Sequence, residues 1–346
     1  MKRAVPRKIL VIHRKGGLGD LLLASAVPAA LKDAWPDAEI TFHCPAGGED
    51  LLERCPFIDH IQPVPDTGSV FLEQVRSMRS RRYDLGLVLW GTTRDAWLLF
   101  LSGVQTRVGN RSKLLYSFMF NRKVKVRTEY NDLRTHWVEV LLDYVRAIGL
   151  VPGPPRVTYI LQDRDIQEAL ELLDRRGVGR DELLIGFHIG KGITGQKKEW
   201  PVDAFISMAR SILDAFPCRL ALTGTESEKE LIRRMQKGLG EGAVDLCGLT
   251  TIATLGGLIS QCKVFVCPDS FPMHLAAALN VPTVGIFTLK SDVVERWRPL
   301  GERVQIVRPS DVECRDRCIK EQCEDYKCYR QIKPADIASA IDRLMT

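Results

Sequence analysis

Three loops carry residue types that group-transfer chemistry uses. The first is Lys15-Gly16-Gly17-Leu18-Gly19-Asp20, between a β-branched run and a helical pattern. Its glycines let the backbone turn tightly and approach a ligand closely. Amides at the start of a helix favour an anion. No Gly-Lys-Ser/Thr follows, so this is not a Walker A loop, and Gly-x-Gly-x-x-Gly is absent too. Asp20 is the unusual member, because a carboxylate at a helix start repels phosphate. Two roles stay open for it: an N-cap, or a general base whose anion the helix dipole holds.

The second loop is Asp269-Ser270-Phe271-Pro272-Met273-His274, between a strand pattern and a helix. Ser270 suits an N-cap and Pro272 the first helical turn. Asp269 and His274 can both face a ligand, or the loop is an ordinary strand-to-helix turn. The third, residues 190–200, holds Lys191, Thr194, Lys197, Lys198 and Trp200. Several cations at a strand end suit phosphate, and a solvated basic loop is the alternative.

Two further clusters stand out. Residues 105–128 contain Arg107, Arg111, Lys113, Arg122, Lys123, Lys125 and Arg127, with no acid and with Tyr116, Phe118 and Phe120 interleaved. That pattern fits an anionic acceptor, an anionic membrane surface, or a solvated edge. Cys314, Cys318, Cys323 and Cys328 fall within fifteen residues. They could enclose zinc or an iron–sulfur cluster, form disulfides, or stay reduced, and the spacing favours none of these strongly.

The elements that must position these loops alternate. Residues 8–13, 39–43, 60–64 and 84–90 read as strands, with helical patterns at 20–32, 71–82 and 131–148. Pro152, Gly153, Pro154 and Pro155 break the chain. Strands at 183–189, 219–223, 243–247, 263–268, 283–287 and 304–307 then alternate with helices at 201–216, 226–239, 250–261 and 270–279, and a last helix spans 334–345. Two successive doubly wound α/β halves follow, with ligands expected at the carboxyl ends of their strands.

Composition agrees with this reading. The 346 residues are 45% hydrophobic and 27% charged, enough for a large core without disulfides. A net charge of +6 is too small to argue for nucleic acid and allows anionic partners. The longest nearly apolar stretch, 21–31, is too short for a membrane span. The N-terminal apolar run, 9–12, is too short for a secretory signal, which predicts a cytoplasmic protein.

Taken in order, the segments resemble glycosyltransferase family nine, the ADP-heptose:lipopolysaccharide heptosyltransferases. The opening strand Ile9-Leu10-Val11-Ile12 leads to Gly17-Leu18-Gly19-Asp20 and its helix. Trp35-Pro36-Asp37-Ala38-Glu39-Ile40, Pro56-Phe57-Ile58-Asp59 and Thr135-His136-Trp137-Val138-Glu139 follow. Lys198-Glu199-Trp200-Pro201, Leu222-Thr223-Gly224 and the Asp269–His274 loop complete the series over nearly the whole chain.

The resemblance implies a GT-B fold: two Rossmann-like domains facing a cleft, at 1–155 and 156–330, with residues 331–346 packing back toward the first. It implies inverting transfer of heptose from the substrate ADP-heptose to an anionic lipopolysaccharide inner-core acceptor, with no cofactor or metal required. Asp20 would be the base. Lys197, Lys198, Thr194, Gly224, Asp269, Ser270 and His274 would hold the donor. Gly17, Gly19, Arg122 and Lys123 would hold the glycolipid acceptor, in a cytoplasmic enzyme peripheral to the inner membrane. Two departures touch the donor side. Phe271 stands where the family has glycine, and Phe287-Thr288-Leu289-Lys290-Ser291-Asp292 replaces Phe-Gly-Pro-Thr-x-Pro. A different nucleotide-sugar, or a non-catalytic binding homologue, are the rival readings.

Overall fold

The computed structural model describes residues 5–64, 70–190, 202–288, 293–309 and 327–346. Contacts divide the chain into two units, Met1–Ile160 and Leu161–Thr346. The first holds β1 (Lys8–Ile12), β2 (Glu39–Cys44), β3 (His60–Pro63), β4 (Leu85–Val88), β5 (Thr106–Asn110) and β6 (Arg122–Val124). They form one parallel sheet in the order β3-β2-β1-β4-β5-β6. β1 and β4 are aliphatic runs buried almost throughout, as parallel strands covered on both faces must be. Strand order reverses between β1 and β4, so the loops leaving their carboxyl ends diverge and open a crevice.

The second unit repeats the plan. β7 (Leu184–His188), β8 (Arg219–Thr223), β9 (Ala243–Asp245), β10 (Val264–Pro268), β11 (Thr283–Ile286) and β12 (Val304–Val307) pair in parallel in the order β12-β11-β10-β7-β8-β9. Its switch point lies between β7 and β10. Phe187, Phe205, Ile212, Leu222 and Val266 are buried at its centre. The last helix, Pro334–Met345, buries Ile337, Ala340, Ile341 and Leu344 in this same core, against helix Val202–Ala215 and β12.

Several elements differ from the pattern expected along the chain. The helix read at 20–32 is two, Leu18–Ala24 and Ala26–Ala34, meeting at Ser25. Pro28 lies four residues after Ala24 and has no N–H to offer its carbonyl. The helix read at 131–148 begins only at Trp137. Before it, the Asp132 carboxylate accepts from Thr135 N at 3.0 Å and Thr135 Oγ1 at 2.6 Å, which fixes a turn instead. Residues 105–128 contain β5 and β6, whose buried Val108 and Val124 sit among cations that hide the strand pattern. Helices Thr93–Leu101 and Asp163–Arg175 complete the layers.

The proline-rich break does not coincide with the division between units. Beyond it the chain is strapped to the first unit. Arg156 pairs with Asp33 at 2.5 Å and lies over the Phe57 ring, Thr158 N donates to Ser25 Oγ at 3.4 Å, and Ile160 N donates to Arg54 O at 2.9 Å. Tyr159 between them is buried.

Helix Ile252–Gln261 packs on helix Asp163–Arg175 through Gly257, where a Cβ would stand 2.1 Å from the Asp165 carbonyl oxygen. Alanine usually stabilises a helix interior by about 1 kcal/mol over glycine. Here Gly257→Ala should instead destabilise, by about 1–3 kcal/mol, because backbone cannot yield as a side chain can. Urea unfolding decides, and a gain in stability would show that the helices part freely.

Candidate active site

The loop after β1 is built around Asp20. Gly16 has φ +93°, and a Cβ there would lie 2.6 Å from Asp20 Oδ2. Only glycine meets both demands. Gly17 is the N-cap of helix Leu18–Ala24, so Asp20 is not a cap but the third helical residue. From there its carboxylate reaches back and accepts from Gly17 N at 3.2 Å.

Beneath it lies His13, which closes β1 and is 1% exposed. Its Nδ1 donates to Leu89 O at 3.1 Å, which leaves Nε2 as the lone-pair nitrogen. Burial holds the His13 imidazole below its ordinary value, so it is neutral. Burial also raises the Asp20 carboxyl above 3.8, against the opposing pull of the Gly17 amide. The helix field alone would have weakened Asp20 as a base. Desolvation outweighs it and makes Asp20 a better proton acceptor than an exposed aspartate.

Arg14 and Asp95, buried and 81 residues apart in sequence, clamp this loop to the one after β4. Arg14 Nε donates to Asp95 Oδ1 at 2.7 Å. Asp95 Oδ2 accepts from both Thr92 N and Thr92 Oγ1 at 2.7 Å, while Asp95 N returns a bond to Thr92 Oγ1. Next to it Trp90 takes φ +47°, an uncommon conformation for a bulky residue. It is held by a bond from its N–H to Tyr144 OH at 3.2 Å and by edge contact with Trp137.

A cavity of about 330 Å³ opens beside these loops, lined by Lys15, Trp90, Thr92, Asn110, Lys113 and Tyr116 among others. It lies at the carboxyl ends of β1, β4 and β5, where an α/β sheet binds ligands. Lys15 lends its wall a positive charge, while the Lys113 ammonium is paired with the Glu129 carboxylate at 2.5 Å. Tyr116 OH donates to Gly91 O at 3.0 Å, fixing one wall. Arg122 and Lys123, on β6, do not line this cavity. Gly17 is exposed at the helix start, and Gly19 is half-buried in its first turn.

In the second unit the carboxyl ends of β7, β8 and β10 bring together His188, Thr223, Gly224, Asp269, Ser270 and His274. His188 Nδ1 and Thr223 Oγ1 are 2.9 Å apart, and burial lowers the His188 pKa to about 4. Thr225 N donates to the buried Glu228 carboxylate at 2.7 Å, and Gly224 packs close above that group. His274 Nε2 lies 3.9 Å from Asp269 Oδ1, with His274 buried and Asp269 partly exposed. Ser270 is the N-cap of helix Phe271–Ala278 by backbone position, but its hydroxyl makes no cap bond and turns to Pro268 O and Cys267 Sγ. Thr194, Lys197 and Lys198 lie outside the described residues.

Other motif residues serve the scaffold. His136 caps helix Trp137–Arg146 by accepting from Val138 N, and Glu139 bonds Arg146. Asp59 accepts from Ile40 N at 2.7 Å and pairs with Lys32. Cys328 is buried in the second core, while Cys314, Cys318 and Cys323 lie outside the described residues. Among the described residues, no group of three or more His, Cys, Asp or Glu could hold a metal ion. Sequence reasoning missed His13, Arg14, Asp95 and His188, although His13 and His188 each end an apolar run, where strand carboxyl ends deliver their side chains.

Two parallel six-stranded sheets, each with its polar loops at the switch point, are the two halves of a GT-B fold. The chain belongs to glycosyltransferase family 9 (heptosyltransferase), whose model matches residues 72–328. It is 25% identical to lipopolysaccharide heptosyltransferase 2 of Escherichia coli K12, over 87% of this chain and 88% of that one. It is 26% identical to the enzyme of the same description from Salmonella typhimurium LT2, over 87% and 88%. A glycosyltransferase family 9 structure from Veillonella parvula superposes with a TM-score of 0.84 at 18% identity, covering 100% of this chain and 98% of that one. The E. coli ADP-heptose LPS heptosyltransferase II structure gives 0.78 at 23% identity, covering 98% of each.

Removing one member of the buried ion pair strands the other in a dry site. Arg14→Met should therefore cost about 3–5 kcal/mol of stability, measured by urea unfolding. A loss below about 1 kcal/mol would mean that water or another cation reaches Asp95.

Proposed function

We propose that the chain moves heptose from ADP-heptose to an anionic lipopolysaccharide inner-core acceptor, inverting the anomeric carbon, without a catalytic metal, at the cytoplasmic face of the membrane. The observation that carries this reading is Asp20. It is a half-buried carboxylate of raised pKa, presented by a glycine loop beside a cavity lined by Lys15. As the acceptor oxygen bonds to the anomeric carbon, its proton passes to Asp20. The bond from that carbon to the donor phosphate breaks, and the electron pair leaves with ADP. Attack opposite the leaving group inverts the centre. The acceptor's own negative charge would rest on Lys15.

The donor would lie at the carboxyl ends of β7, β8 and β10. Asp269, Ser270, His274 and Gly224 would meet the nucleotide-sugar, and Lys197, Lys198 and Thr194 the diphosphate. Cations and amides are enough to balance a diphosphate leaving group. A different nucleotide-sugar is the second reading. It is favoured by Phe271, whose half-buried ring stands at the first position of helix Phe271–Ala278. Thermal-shift measurement with ADP, UDP, GDP and their sugars separates the two readings.

Asp20→Asn keeps the size of the side chain and its bond from Gly17 N, but removes the proton acceptor. Turnover should fall roughly 100-fold or more while nucleotide binding stands. The melting temperature at pH 7 should hold or rise, because a carboxyl whose pKa is raised by folding is disfavoured there in its ionised form. For the same reason the wild-type rate should fall with acid around a pKa above 3.8. Near-normal turnover in Asp20→Asn ends the assignment.

The double variant Lys197→Ala/Lys198→Ala should weaken ADP binding and slow transfer, together on the order of 2–4 kcal/mol in the transition state. Calorimetry and initial rates measure the two parts. Unchanged values would remove these lysines from the donor site.

A further inference from the structure

We propose that the turn between β5 and β6 is a membrane-docking element that seats the first unit on an anionic phospholipid leaflet through Leu114, Leu115 and Phe118. These three side chains are 87%, 83% and 63% exposed, within five residues of one another. Single exposed apolar residues are ordinary on a protein surface, but a contiguous group of large ones is not. The turn is not loose chain. Tyr116, Met119 and Phe120 alternate with the exposed residues and are buried in the core of the first unit. Ser117 N donates to Lys113 O at 2.7 Å, the segment Ser117–Met119 forms a 3-10 turn, and the Phe120 ring covers Gly109. The apolar side chains are thus held outward by anchors beneath them, so little ordering would be left to occur on binding.

The patch continues onto helix Thr93–Leu101, where Trp97 and Phe100 are 39% and 41% exposed with their rings 6.1 Å apart. Arg107 joins the two parts, lying over the Phe100 ring while its Nε donates to Met119 O. Charge selects the occupant. Residues 105–128 carry seven cations and no acid; Lys113 is paired with Glu129 and Arg127 with Asp143, both beyond the segment, while Arg111, Lys123 and Lys125 are exposed. An apolar centre with an aromatic flank and a cationic rim matches an anionic lipid interface, with the side chains among the acyl chains and the cations among the headgroups. Among the described residues, no helix is long and apolar enough to cross a membrane, so docking would be to the surface.

The same turn carries Lys113 and Tyr116 into the cavity beside Asp20. A leaflet holding this turn would therefore present a lipid-anchored acceptor at the cavity mouth. In this respect the inference rests on the proposed function, but the docking itself does not need the reaction.

The test is flotation of the purified full chain with vesicles of phosphatidylglycerol and phosphatidylethanolamine, and with phosphatidylcholine alone. The wild type should float with the anionic vesicles, and about half a molar salt should release most of it. Leu114→Ser/Leu115→Ser/Phe118→Ser should bind at least roughly tenfold more weakly. Arg111→Gln/Lys125→Gln should lose roughly fivefold per cation. Both variants should melt as the wild type does, because the altered side chains lie outside the core. Equal binding by the triple variant and the wild type would overturn the proposal. So would self-association of the wild type in sedimentation that the triple variant abolishes, since the occupant would then be a second copy. Transfer from ADP-heptose to a delipidated, water-soluble acceptor is measured in parallel, and the triple variant should match the wild type there. If that transfer is absent while vesicle binding holds, the proposed function fails and the docking element stands.

Discussion

The buried bond between Arg14 and Asp95 is the constraint around which the first unit's site is arranged. Two charges without water are tolerable only when each is paired and its remaining polar atoms are satisfied. That demand reaches outward. Asp95 must sit where Thr92 can give it two further hydrogen bonds, so the start of helix Thr93–Leu101 is fixed. Arg14 must leave β1 in the direction that meets it, so the backbone arrives at Gly16 needing a left-handed turn. Asp20 is then held against that glycine. A surface ion pair would impose none of this, because water can replace either partner at little cost.

The two units solve the same problem with different contents. In each, a parallel sheet reverses its strand order, and a histidine ends the first central strand: His13 after β1, His188 within β7. Both are buried and held neutral by the loss of water. Around His13 lie the Asp20 and Asp95 carboxylates, with the exposed Lys15 two residues further along. Around His188 lie hydroxyls, a close-packed glycine and the Asp269–His274 loop, a setting suited to polar ligand groups. A repeated scaffold with divided chemistry is what a two-substrate transferase needs.

Much of this was legible along the chain, for physical reasons. Gly16, Gly17 and Gly19 before an apolar helical pattern mark a strand-to-helix turn, because the backbone conformation depends on the residues themselves. The aliphatic runs of β1, β4, β7 and β10 were equally plain, since strands buried on both faces cannot afford polar side chains. Arg14 and Asp95 were not legible. Their pairing depends on β1 and β4 lying side by side, and nothing near either residue reports that. β5 and β6 were hidden because their inward valines are few and cations occupy the positions between them. Asp20 stayed open between a cap and a base because helix position is uncertain by a few residues until the hydrogen bonds are known. Three residues made the difference between capping a helix and reaching back from inside it.

The strap of residues 151–160 bears on how the molecule could be divided for study. Its prolines suggest a hinge at which to cut the gene, yet Arg156, Thr158 and Ile160 are bonded to the first unit and Tyr159 is buried there. A fragment ending at Gly149 would uncover apolar surface and leave Ser25, Asp33 and the Arg54 carbonyl without these partners. One ending after Ile160 would keep its own seal. The natural seam of the chain is thus an inconspicuous step between Ile160 and Leu161, and not the most conspicuous run of helix-breaking residues.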